Sequence, residues 1–92
     1  MDERLARRTA DLAVEYLRGI RERPVRERAT LEELRAALHV PLNDDPLPAL
    51  QVIEELAHAA EPGLMSSQSP RYFGFVIGGA LDSAVAADWL TS

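Results

Sequence analysis

Few side chains in these 92 residues could carry chemistry. There is no cysteine and no lysine; all ten basic residues are arginine. That removes the thiolate and the amine from the possible nucleophiles. Arginine does not replace the amine, because its guanidinium stays protonated. His39 and His58 lie far apart, with no patterned carboxylate between them, so their spacing does not suggest a metal site. Both fall near expected helix ends, where an imidazole suits the negative end of the dipole. Ser66, Ser67, Ser69 and Ser83 have no histidine at a spacing that suggests an acyl-transfer triad. Glu32-Glu33 and Glu54-Glu55 are neighbours on helix surfaces, not carboxylates facing each other across a cleft. Gly78-Gly79 lacks the spacing of a phosphate-binding loop and reads as a corner before a helix.

Composition narrows the partners. The formal net charge of -5 argues against nucleic acid. The imbalance is uneven: residues 1–35 hold nine arginines and eight acids, whereas residues 36–92 hold Arg71 and seven acids. The first part reads as a mixed-charge, solvated helix surface. No apolar run reaches membrane-spanning length, and the first residues lack a signal-peptide core. The expectation is a soluble cytoplasmic chain forming one small domain with a modest core.

The elements that must position these residues follow from periodicity. Residues 2–23 read as an amphipathic helix with Leu5, Leu12, Tyr16 and Ile20 on one stripe, ended by Pro24. The stripe reads as an ordinary packing face or as an arm against a partner subunit. Thr30 and Glu33 have capping-box spacing, which predicts a helix over 31–38 stopped before Pro41. Asn43-Asp44-Asp45 is a turn signal with carboxylates able to cap a helix. A third helix, started by Pro46 or Pro48, should reach Ala60 and end at Pro62-Gly63. Its inner face is expected to be Leu50, Ile53, Leu56 and Ala57, with Glu54, Glu55 and Glu61 in water. Residues 64–69 are a small-residue loop, expected as a hinge.

The last stretch is the most distinctive. Residues 71–77 are rich in aromatic and β-branched types and read as an extended segment. Residues 80–90 are Ala-rich with a helical apolar period through Leu81, Val85 and Trp89. Asp82 is expected to cap that helix. A helix so apolar needs cover over most of its surface.

The run Ser69-Pro70-Arg71-Tyr72-Phe73-Gly74-Phe75-Val76, then Gly78-Gly79, then Ala86-Ala87-Asp88-Trp89-Leu90, resembles the N-terminal part of the group II pyridoxal-phosphate-dependent decarboxylases. That family includes the aromatic amino acid and glutamate decarboxylases. Asp82-Ser83 stand where the family often has a proline. The order of prolines and short helices before residue 60 is similar in a weaker way. The resemblance implies a mainly α segment, three to four helices and one extended stretch, belonging to an α/β fold-type I enzyme. Residues 1–63 would be a helical arm contacting a dimer partner. Residues 64–92 would be a hinge, a pocket motif and the helix leading into the absent cofactor domain.

The resemblance also implies an amino acid substrate and residues that line its pocket. Phe75 and Val76 would pack on the substrate's side chain, and Ile77 and Gly78 would leave room near its carboxylate. An apolar wall suits decarboxylation, which gains from excluding water. On periodicity alone the same four residues are core under a helix. Tyr72, Phe73 and Trp89 are assigned to packing, and Arg71 to a helix end or a carboxylate. Pyridoxal phosphate would belong to the full-length enzyme, since its Schiff base needs a lysine that these residues lack. No catalytic, cofactor-binding or metal residue is therefore assigned. A competing reading is a stand-alone helical dimerisation module descended from such an enzyme.

Overall fold

The computed structural model describes residues 1–75 and 77–92, and Val76 lies outside the described residues. The described residues form four α-helices and no strand: α1 Glu3–Arg18, α2 Leu31–Leu38, α3 Ala49–Ala60 and α4 Asp82–Thr91. A short 3₁₀ turn, Glu61–Gly63, extends α3. None of the described helices is long and apolar enough to cross a membrane.

Local chemistry sets these boundaries. Asp2 caps α1 by accepting from the Arg4 backbone N–H at 2.9 Å. The helix stops at Gly19, before Pro24, because glycine propagates a helix poorly. The chain then makes one looser turn, in which the Arg23 N–H donates to the Gly19 carbonyl at 2.9 Å. Thr30 caps α2 as expected, with the Glu33 N–H donating to Thr30 Oγ1 at 3.1 Å. Asn43 forms an Asx turn, accepting from the Asp45 N–H at 3.0 Å. Neither aspartate beside it caps α3. Pro48 precedes that helix with no side-chain cap.

Two further expectations are corrected. The segment expected to extend over 71–77 forms no strand among its described residues. The Tyr72 N–H donates to the Ser69 carbonyl at 3.0 Å, and the Ile77 N–H donates to the Gly74 carbonyl at 3.3 Å. Phe75 adopts φ of 56°, which breaks any strand. Asp82 is the first residue of α4, not its cap. Its charge still suits the positive end of the dipole.

Packing centres on α3, which lies against both α1 and α2. Leu34 of α2 closes on the turn after α3 so tightly that a Cβ on Gly63 would lie 2.6 Å from Leu34 Cδ2. Polar groups share this inner surface, which corrects the placing of Arg8, Glu54 and Glu61 in water. Arg8 is half-buried and pairs with Glu54 and, at 3.3 Å, with Glu15. Glu61 is clasped by Arg23 and Arg28. Arg23 also lies 4.6 Å from the Tyr16 ring centre, a cation–π distance. α4 stands apart, with only Val85 half-buried among its residues.

Among the described residues no apolar side chain is fully buried. The molecule is flat, with extents of 43 × 34 × 20 Å. Its radius of gyration is 15.2 Å, against roughly 12 Å for a compact chain of this length. Its accessible surface is 7803 Å² at 10.2 kDa, against roughly 5300 Å² for a compact protein of that mass. These helices therefore do not enclose a core of their own.

Candidate functional site

An open cleft of about 730 Å³ lies between the end of α1 and the start of α4. α1 and the turn after it supply Leu17, Ile20 and Arg21. The 68–80 loop supplies Tyr72, Ile77 and Gly78, and α4 supplies Asp82, Val85 and Trp89. Its size falls in the range of small-molecule sites, and its walls are mostly apolar, as such sites are. One cation, Arg21, and one anion, Asp82, border it.

Of the four residues expected to form a pocket wall, Ile77 and Gly78 line this cleft. Gly78 faces open space: a Cβ there would meet nothing within 4 Å. Phe75 does not line it and stands 89% exposed on the outside of the loop. Val76 lies outside the described residues. Phe73, assigned to packing, is 92% exposed, which corrects that assignment. Tyr72 folds back on its own loop, its hydroxyl 2.7 Å from where a Gly74 Cβ would stand. Trp89 is half-exposed in the cleft wall.

The base of the loop is more ordered than its sequence suggested. Ser66 and Ser69 are the only fully buried residues among those described, at 1% and 5% exposure. The Ser66 hydroxyl donates to the Pro24 carbonyl at 3.1 Å, and its N–H donates to the Val25 carbonyl at 2.9 Å. Arg71 donates from Nη2 to the Arg23 carbonyl, just past the end of α1. The Pro62 carbonyl accepts from the Arg28 and Ala29 amides at 2.8 and 3.1 Å. Residues 23–29 and 61–72 are thus laced together by polar bonds. Sequence reasoning took the small residues of 64–69 as loop and missed this. The visible signal was three serines in four positions between Gly63 and Pro70.

Electrostatics follows the same lacing. Hydrogen bonding from Arg8 holds the Glu54 carboxyl below its ordinary value, against the opposing effect of burial. Glu61 is lowered by its hydrogen bond to Arg28, with the charges of Arg28 and Arg23 adding to it. The Arg8 guanidinium is raised in turn by its bond to Glu54. Among the described residues, His39 and His58 join no group of three or more side chains that could hold a metal.

The arrangement offers a mostly apolar, open surface that an apolar group could pack against. The polar side chains lining it include Arg21, Ser69, Tyr72 and Asp82. Comparisons with models of protein families, with curated proteins and with solved structures return no match to this chain.

Proposed function

We propose that the chain is the N-terminal part of a pyridoxal-phosphate-dependent amino acid decarboxylase, a carboxy-lyase. In this reading it contributes dimer contacts and one wall of the substrate pocket. The motif from Ser69 to Leu90 supports the family. The cleft supports the pocket, since it gathers Ile77 and Gly78 beside Tyr72 and Trp89. The observation that carries the reading is the surface. The excess over a compact chain is roughly 2500 Å², the size of a large obligate interface. Phe73 and Leu90, each 92% exposed, belong to it.

The residues present do not fit the cofactor itself. There is no lysine to hold it covalently, and Arg21, the cation bordering the cleft, cannot take that role. Residues outside this chain would have to hold the cofactor and carry the chemistry. What these residues do is pack, exclude water and leave space. Gly78 leaves space where a larger residue would not, and Ile77 and Trp89 keep the surroundings apolar.

The test is direct. The native polypeptide is isolated with an antibody against residues 1–92, then weighed intact, scanned in the visible range and assayed for carbon dioxide release from amino acids. A much larger mass, absorption from bound pyridoxal phosphate and decarboxylation are expected. A colourless polypeptide of 92 residues that folds as a stable dimer would overturn the reading in favour of a dimerisation module.

A further inference from the structure

We infer that Ser66, Ser69 and Arg71 are positioning residues that set the loop bearing Ile77 and Gly78 against the end of α1. The inference rests on the pocket-wall reading above and adds to it the residues that hold the wall in place. It begins from an unusual distribution of burial. In a chain with no buried apolar side chain among the described residues, the two buried residues are both serines. A buried hydroxyl is costly unless bonded, and both of these are bonded.

Ser66 is held at two points. Its hydroxyl donates to the Pro24 carbonyl at 3.1 Å and its N–H to the Val25 carbonyl at 2.9 Å. Ser69 carries this anchor forward. Its N–H donates to the Ser66 carbonyl at 3.0 Å, its hydroxyl accepts from the Arg71 N–H at 3.2 Å, and its carbonyl accepts from the Tyr72 N–H at 3.0 Å. Arg71 closes the circuit by donating to the Arg23 carbonyl.

Beyond Tyr72 none of the described hydrogen bonds ties the loop to another part of the chain. The one hydrogen bond in its described part, Ile77 N–H to the Gly74 carbonyl at 3.3 Å, lies within the loop and fixes its shape but not its place. Its place is therefore decided at its base. Displacing that base shifts Ile77 and Gly78 relative to Leu17 and Ile20, which face them across the cleft.

The experiment compares Ser66→Ala and Arg71→Ala with Ser67→Ala in the native polypeptide. Ser67 sits between the anchors, and none of the described side-chain hydrogen bonds uses its hydroxyl. Amide hydrogen exchange and decarboxylation kinetics are measured on each. Ser66→Ala should speed exchange at residues 69 and 72 about tenfold, the size of one lost buried hydrogen bond. Exchange in α2 and α3 should not change. KM should rise by a similar factor, with kcat within about twofold of the parent. Arg71→Lys, which keeps a donor, should recover part of the loss. The inference is overturned if Ser66→Ala behaves like Ser67→Ala, or if exchange quickens equally in α2 and α3, as a merely structural serine would produce. If the parent polypeptide does not decarboxylate amino acids, the functional reading fails, and the exchange comparison still decides whether these residues place the loop.

Discussion

At Gly78 an added methyl group would enter empty space, since no atom lies within 4 Å of its Cβ position. Its φ is not positive, so alanine meets no backbone strain there. Gly78→Ala should therefore leave stability unchanged or raise it by up to about 1 kcal/mol, through the unfolded chain. Denaturant melting checks this. If the space is kept for a substrate, as proposed, the same substitution should raise KM in the native polypeptide. Unchanged kinetics would remove Gly78 from the pocket. Gly63 is the opposite case, because Leu34 already occupies the space its side chain would need. The two glycines look alike in sequence, and only the neighbours tell them apart.

Among elements, the joints are electrostatic as much as apolar. Arg8 ties α1 to Glu54 of α3, and Glu61 draws Arg23 and Arg28 onto the end of α3. Both carboxyls are lowered from their ordinary value of 4.5 in the folded chain. A lowered carboxyl contributes stability that is present above its unfolded value and lost as pH falls through its folded value. The urea midpoint should thus hold near neutral pH and fall on acidification below about 4.5. Glu54→Gln with Glu61→Gln should flatten that fall while lowering the midpoint at neutral pH. These groups are partly exposed, so salt should weaken the same joints. An acid limb equally steep in the double variant would mean that other carboxylates govern it. The spans of α2 and α3 were legible in the chain. Thr30, Glu33 and the prolines mark the limits of α2 and α3 because caps and breakers act over one turn.

For the whole molecule, the question is what covers the surface. Phe73, Phe75, Leu81 and Leu90 are exposed on or near the last helix, and α1 leaves Val14 and Leu17 partly open. Apolar area of this extent drives association. Residues 1–92 in isolation should bind a hydrophobic dye, melt with weak cooperativity and associate as concentration rises. Phe73→Gln with Leu90→Gln should reduce that association with little change in helix content, as followed by sedimentation and circular dichroism. A monomer that melts sharply and binds no dye would show that the helices close on themselves.

The sequence by itself determined the local facts: where α2 and α3 begin and end, the absence of a lysine nucleophile, and the apolar character of residues 80–90. Each depends on residue type and on neighbours a few positions away. It misjudged 71–77, where aromatic and β-branched content favours a strand but the described residues form none and Phe75 takes a positive φ. It also placed Arg8, Glu54 and Glu61 in water. Only the tertiary structure decided that these charges face one another and that Ser66 and Ser69 are buried. It likewise decided that Ile77 and Gly78 share a cleft with α1 while Phe75 does not. The reason is range: such contacts join residues some forty positions apart, such as Arg8 with Glu54 and Ser66 with Pro24, and no local pattern of types records which distant partner a side chain will meet.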